Sequence, residues 1–145
     1  MIGRMTLTIC LLGSCAWCLA MVAGADSAQS ESQSETFKPV ASVDSLMHAQ
    51  VKFFKAAKNA VDDKSMKERG HEIEEAAEVL AELANVNRYN SEKQDWRDWA
   101  TQVRDRSLKL AREAEKKDAD EEKISGLVKQ IGDSCGACHD KYQEE

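Results

Sequence analysis

The sequence predicts an all-α protein, an antiparallel up-down four-helix bundle, on three observations. Pro39 is the only proline, so the chain after it contains no residue that would break a helix in that way. The residues that favour helices, Ala, Glu, Lys, Leu, Gln and Arg, dominate this part of the chain. Its apolar residues recur at spacings of three and four, and no run alternates apolar and polar residues as a strand does.

The first two helices are predicted over residues 41–62 and 66–86. The apolar stripe of the first consists of Val43, Met47, Phe54 and Val61, and beside it lie Leu46, Phe53, Ala57 and Ala60. The apolar residues of the second are Ile73, Ala76, Ala77, Leu80, Leu83 and Ala84. Both patterns are typical of a helix with one buried face.

The third and fourth helices are predicted over residues 92–116 and 119–143. The apolar residues of the third are Trp96, Trp99, Ala100, Val103, Leu110 and Ala114. Those of the fourth are Ile124, Leu127, Val128, Ile131, Cys135, Cys138 and Tyr142. The stretch Ser91-Glu92-Lys93-Gln94 has the pattern of a capping box at the start of the third helix.

Short connections between four helices predict neighbours that run in opposite directions. In such a bundle the start of the first helix and the end of the fourth lie at the same end. The end of the second helix and the start of the third join them there. Residues from all four helices can therefore form one site at that end.

The N-terminal residues 1–25 predict a secretory signal peptide. Arg4 precedes a long apolar run, and Ala23-Gly24-Ala25 has the small residues that signal peptidase reads, so we expect cleavage after Ala25. An uncleaved anchor helix and lipid attachment at Cys15 are the alternatives. A disordered spacer is expected over residues 26–40, before a bundle domain at 41–145. We expect a periplasmic protein with no membrane insertion after cleavage.

Cleavage would leave a mature chain with two cysteines and an acidic balance. Of five cysteines only Cys135 and Cys138 would remain, a pair too close together to form a structural disulfide framework. Loss of Arg4 would leave 19 basic against 26 acidic side chains, a formal net charge of −7 in place of −6. This charge disfavours nucleic acids and anionic membranes as partners and suits a basic protein.

The most specific motif is the sequence Cys135-Gly136-Ala137-Cys138-His139 in the fourth predicted helix. CxxCH is the attachment sequence of haem c, in which both cysteines form thioethers and the histidine binds the iron. At spacings of three and four, the two sulfurs and the imidazole share one face of a helix. One side of the last turns can therefore hold both covalent bonds and the axial ligand.

Two other kinds of site also use closely spaced cysteines. A redox dithiol of the thioredoxin type needs a strand followed by a helix, and this sequence predicts no strand. A structural zinc site needs four ligands, and the mature chain adds only His48 and His71 to the motif. We therefore expect one covalent haem c, with a haem-free thiol or metal-binding helical module as an alternative.

The motif and its position resemble those of the class II c-type cytochromes, the bacterial four-helix-bundle group that includes cytochrome c′. In that group CxxCH lies near the C-terminus on the last helix, and here Tyr142 follows His139 by three residues. A basic residue often comes next in the family, whereas this chain has Gln143. The resemblance extends from about residue 40 onward. It implies single-electron transfer with redox proteins as partners, and homodimers are frequent in the family.

The resemblance implies that the sixth iron ligand decides the function. A methionine from the first helix gives a six-coordinate electron carrier, whereas an apolar residue leaves a five-coordinate iron that binds NO or CO. Met47 is predicted to be that ligand, because its helical neighbours Val43, Val51 and Phe54 are apolar and should turn it inward. Its alternative role is to fill space in the core.

The remaining candidates have bulky side chains or imidazoles. Trp96, Trp99, Leu83 and Val86 are expected near the haem, with ordinary core packing as their alternative role. His48 is a rival iron ligand, but its polar helical neighbours predict that it faces water. His71 and Met66 are expected near the opposite end of the bundle. No general acid, nucleophile or substrate pocket is evident, so we do not predict an enzyme.

Overall fold

The computed structural model describes residues 37–62 and 68–142, which belong to one compact unit. It contains four helices: α1 (Val43–Asp62), α2 (Gly70–Asn87), α3 (Gln94–Ala114) and α4 (Glu121–Tyr142). The described residues include no strand, so the all-α prediction is confirmed. The predicted signal peptide, spacer residues 26–36, Met66 and Gln143 lie outside the described residues. In the part of the chain that is described, no helix has the length and apolar content needed to cross a membrane.

The four helices pack in a ring, in which α1 and α3 each contact both α2 and α4. Their inward faces form one apolar core. Its largest fully buried apolar side chains are Ile73, Leu80, Leu110, Ile124 and Ile131. Full burial of such a side chain contributes roughly 1.5–3 kcal/mol to stability. The core therefore draws its main stabilisation from α2, α3 and α4.

Contacts between helix ends determine which ends meet. The Trp96 indole N–H donates to the carbonyl oxygen of Asn87 at 2.8 Å, which joins the start of α3 to the end of α2. The Tyr142 hydroxyl donates to the Asp95 carboxylate at 2.7 Å, which joins the end of α4 to the start of α3. At the other end, Gly70 of α2 lies against the backbone of Ala114 in α3.

Helix α1 buries only part of the apolar stripe that the sequence predicts. Leu46, Gln50 and Ala57 are buried, whereas Val43 and Val51 are 37% and 42% exposed. The expectation that the whole stripe from Val43 points inward was therefore wrong. The buried face is displaced toward Gln50, an amide that a count of apolar residues leaves out.

Helix α3 begins at Gln94, without the predicted capping box. Lys93 precedes the helix and forms no side-chain cap. The Ser91 hydroxyl accepts a hydrogen bond from the Lys93 amide at 3.2 Å, within the turn before the helix. Prediction of the capping box was therefore wrong, because this serine bonds locally in the turn.

A buried carboxylate connects the end of α3 to the start of α4. Glu113 is 4% exposed, and Lys123 and Lys116 both donate to its carboxylate, the latter at 2.9 Å. The hydrogen bonds from Lys123 and Lys116 outweigh desolvation and lower the pKa of Glu113 to about 2. The same contact raises the pKa of Lys116. The connection between the two helices is therefore held by ionised side chains.

The close approach of α2 to α3 predicts that Gly70→Ala destabilises the protein. A Cβ atom at Gly70 would lie 2.9 Å from the backbone oxygen of Ala114, a contact that neither helix can relieve without shifting. We expect a loss of about 1–3 kcal/mol in the free energy of unfolding, measured in urea. The control is Gly126→Ala in α4, where a Cβ meets no atom within 4 Å. That variant should gain about 0.5–1 kcal/mol, and equal effects of the two variants would contradict the packing argument.

The paired Glu113 carboxylate predicts how stability depends on pH. Its folded-state pKa of about 2 lies below the ordinary value of 4.5. The stabilisation that ionised Glu113 gives the folded protein is therefore present above pH about 4.5 and is lost as the pH falls toward 2. Glu113→Gln should lower stability at pH 7 and flatten the fall in unfolding midpoint between pH 5 and about 2. Glu115→Gln removes an exposed charge nearby. Its unfolding midpoint should fall with pH as steeply as that of the parent protein. Identical slopes for parent and Glu113→Gln would contradict the assignment.

Candidate functional site

A crevice between the helices brings together side chains from distant parts of the chain. It is lined by six residues that the sequence predicts for the site: Met47, Trp96, Trp99, Cys135, Cys138 and His139. Five others complete its walls: Gln50, Asn87, Ala100, Val103 and Ser134. The enclosed space is small, about 30 Å³. A second crevice of about 190 Å³ shares Met47, Trp96, Cys138 and His139 with it.

The CxxCH motif forms part of α4, which continues to Tyr142. The regular helix keeps Cys135, Cys138 and His139 on one side, where all three line the crevice. Cys138 is buried, whereas Cys135 and His139 are half-buried. Both cysteines are free thiols. Burial raises the pKa of Cys135 and raises that of Cys138 to about 11. At neutral pH these thiols are protonated, unlike the activated cysteine of a thiol-disulfide oxidoreductase.

Met47 lies on the same wall as Gln50, one turn apart in α1. Its side chain is half-buried and lines both crevices together with His139. Met47 therefore lies at the edge of the buried face of α1, beside the exposed Val43 and Val51. The structure brings the two predicted iron ligands to the same crevice.

The other two histidines lie outside the crevice. The His48 side chain is 80% exposed, and its Nδ1 lies 3.0 Å from the carbonyl oxygen of Asp44. The His71 side chain is 87% exposed and lies 3.3 Å from the Glu74 carboxylate. Within the described ranges, no three His, Cys, Asp or Glu side chains group together as metal ligands.

The aromatic residue that follows the motif fastens the end of α4 to α3. The Tyr142 ring packs edge-on against Trp96 and Trp99, at centroid distances of 5.3 and 5.9 Å. Lys141 and the Tyr142 hydroxyl donate to the Asp95 carboxylate. These two hydrogen bonds, that of Lys141 first, lower the pKa of Asp95 to about 2. The two tryptophans thus form one aromatic wall with Tyr142 beside the motif.

Helix α2 contributes Asn87 to the crevice, in place of the expected Leu83 and Val86. The end of α2 reaches Asn87, which is 4% exposed. Its carbonyl oxygen accepts from the Trp96 indole, and its side-chain oxygen accepts from Asn90 Nδ2 at 3.0 Å. The sequence correctly predicted that the end of α2 lies at the site, but it indicated the apolar residues Leu83 and Val86 there. The polar residue at the next position lines the crevice, and its side-chain oxygen accepts a hydrogen bond within the turn.

Hydrogen bonds from α3 support the turn of α4 that precedes the motif. Arg106 donates to the carbonyl oxygen of Gln130 at 2.8 Å and also to the hydroxyl of Ser134. The Ser134 hydroxyl in turn lies 3.2 Å from the Gln130 carbonyl oxygen, to which it donates. Ser134 is 3% exposed and directly precedes Cys135. Arg106 therefore fixes α3 to the backbone that positions the first cysteine.

Gln50, like Asn87, is a site residue that sequence reasoning missed. It is 8% exposed and lines the crevice, and its Nε2 atom is buried without a hydrogen-bond partner among the described residues. The signal that could have identified it is its position in α1. It follows Leu46 by four residues and Met47 by three, so it shares their face of the helix.

Comparison of the chain with protein-family models, curated proteins and solved structures found no match. The residues of the crevice and their contacts are therefore the basis for inferring the function.

The support that Arg106 gives to α4 predicts a loss of stability in Arg106→Met. The substitution keeps an unbranched side chain but removes the hydrogen bonds to Gln130 and Ser134, so the free energy of unfolding should fall by about 1–2 kcal/mol. The control is Arg104→Met, since Arg104 pairs at 2.7 Å with its neighbour Asp105 on the same helix. That variant should remain within about 0.5 kcal/mol of the parent. Equal urea midpoints for the two variants would contradict the role of Arg106.

Proposed function

We propose that the protein is an exported, periplasmic c-type cytochrome that transfers single electrons. One haem is bound covalently through Cys135 and Cys138, with His139 and Met47 as axial ligands. The observation that supports this most is that CxxCH in α4 and Met47 in α1 line one crevice. His and Met are the axial pair of cytochromes c. No general acid, base or nucleophile is required of the chain, so the proposal does not include an enzyme.

The residues of the crevice fit a haem in their chemistry. Two thiols and an imidazole lie on one helix face, a thioether lies on the neighbouring helix, and aromatic and aliphatic side chains complete the walls. An unpartnered amide donor at Gln50 also faces this space. The space between these residues is small, about 30 Å³, so the side chains around it must move apart to hold the ring. The lining, rather than the size of the space, supports the assignment.

When bound, the haem supplies the ferric–ferrous couple, whose potential the protein tunes. The chain's own residues hold, orient and shield it. The two cysteine sulfurs fix the position of the ring, and a ring nitrogen of His139 and the sulfur of Met47 are the donors to the iron. Trp96, Trp99 and the aliphatic residues exclude water, and a thioether ligand raises the reduction potential.

The proposal includes an antiparallel up-down arrangement of the four helices. The contacts of Trp96 with Asn87, of Tyr142 with Asp95 and of Gly70 with Ala114 support it, since each joins the start of one helix to the end of another. This arrangement places the motif at the end of the bundle, where an edge of the ring can face a docked protein. The acidic chain suits a basic redox protein as partner.

A second candidate function is gas binding by a five-coordinate haem, and the position of Met47 favours it. Met47 is half-buried at the edge of the α1 face, and the residues on either side of it, Val43 and Val51, are exposed. A small rotation of its side chain toward solvent would leave the iron open on that side. NO or CO would then be the ligand class. The axial role of Met47 therefore separates the two functions.

Substitution of the proposed axial methionine tests the function directly. The parent protein, produced with haem-attachment machinery, should show a sharp low-spin absorption spectrum that carbon monoxide leaves largely unchanged. Met47→Ala should become high-spin and bind carbon monoxide, because its side chain cannot reach the iron. His48→Ala is the control and should keep the parent spectrum, since His48 is exposed.

Other outcomes distinguish the alternatives. A parent spectrum that is already high-spin and shifts with carbon monoxide would replace electron transfer with gas binding. A colourless protein, or colour lost from the denatured chain, would exclude covalent haem and favour a haem-free module.

A further inference from the structure

We propose that Gln50 is a hydrogen-bond donor to small ligands held at the haem iron on the side of α1. Its Nε2–H group would donate to an oxygen or nitrogen acceptor atom of such a ligand. This inference rests on the proposed haem site, but it does not require that Met47 is an axial ligand in the resting protein.

The amide of Gln50 is available as a donor. The residue is 8% exposed, lines the crevice with Cys135 and His139, and its Nε2 has no partner among the described residues. Met47 lies one turn away in the same helix, yet its sulfur does not accept from this amide. Burial of an unpaired amide donor costs free energy that a partner would recover.

Two other polar side chains of the crevice already form hydrogen bonds. Ser134 donates to Gln130 and accepts from Arg106, and the Asn87 side chain accepts from Asn90. Two further buried polar atoms without a partner, Arg88 Nε and Ser107 Oγ, belong to residues that do not line the crevice. Of the described crevice residues, Gln50 is therefore the one with a fully buried side-chain donor that lacks a hydrogen-bond partner.

The position of Gln50 favours an iron ligand over a haem carboxylate as the acceptor. Gln50 follows Met47 by three residues, so the proposed sulfur ligand and the amide lie side by side on α1. A haem carboxylate is charged and is most stable near water, whereas Gln50 is more deeply buried than Met47. A ligand that replaces the methionine sulfur at the iron therefore comes next to the amide, and hydrogen-bond donors on this side govern which ligands a haem retains.

The test compares Met47→Ala with Met47→Ala/Gln50→Leu in the haem-loaded protein. The infrared C–O stretch of the ferrous carbon monoxide complex is the first readout, since a donor near the oxygen weakens the C–O bond. Removal of the Gln50 donor should shift the stretch to higher wavenumber. The dissociation constant for cyanide on the ferric protein is the second readout and should increase roughly 3- to 10-fold, the effect of one lost hydrogen bond. Met47→Ala/Ser107→Ala removes a buried unpaired hydroxyl outside the crevice and should change neither readout.

Stability provides the check on folding. Without an added ligand, Gln50→Leu should melt at or above the temperature of the parent, because it removes a buried donor that has no partner. An unchanged C–O stretch and cyanide affinity in a folded, haem-loaded double variant would overturn the role of Gln50 and leave the proposed cytochrome function standing. A shift in reduction potential alone would also overturn it, by assigning the amide to a haem carboxylate. A parent protein that retains no haem would overturn both proposals.

Discussion

The contact between the end of α4 and the start of α3 is the interaction on which the site depends. The Asp95 carboxylate accepts from the Tyr142 hydroxyl and from Lys141, and the Tyr142 ring packs against Trp96 and Trp99. This contact lies three residues beyond His139. Because α4 is a continuous helix, fixing its last turn also fixes the direction of the three motif side chains. One carboxylate in α3 thus orients the cysteines and the histidine of α4.

The largest core side chains and the crevice lie in different parts of the bundle. The fully buried aliphatic residues extend from its middle to the end at which the ion pairs of Glu113 join α3 to α4. At the other end, the crevice is lined by half-buried aromatic residues, buried amides and two thiols. A group that parts the side chains of the crevice therefore leaves the five largest core side chains in place, since none of them lines it. Such separation is expected where a binding site must adapt while the scaffold remains rigid.

Much of this arrangement could be predicted from local sequence, and the failures have physical causes. Apolar spacing located four helices to within a few residues of their observed ends, and the CxxCH spacing identified one side of the crevice. The burial of Gln50 was missed, because hydrophobic periodicity treats every amide as solvent-facing. The Arg106 contacts join residues 24 and 28 positions apart, so no local pattern encodes them. At Ser91 the capping-box sequence is present, but the hydroxyl accepts from the Lys93 amide in the preceding turn and does not cap α3.

The interface between α1 and α4 determines how the two proposed iron ligands face each other. It is the least extensive of the four helix contacts, yet it separates Met47 from His139. Gly132 lets α4 pack close to α1, since a Cβ there would lie 3.2 Å from the Phe54 ring. A weak interface can separate at low cost while α2 and α3 keep their extensive packing. The proposed haem would have to part the walls of the crevice, and the least extensive helix contact, between α1 and α4, is where the bundle can open at the lowest cost. This boundary has Met47 and Gln50 on one side and the CxxCH motif on the other.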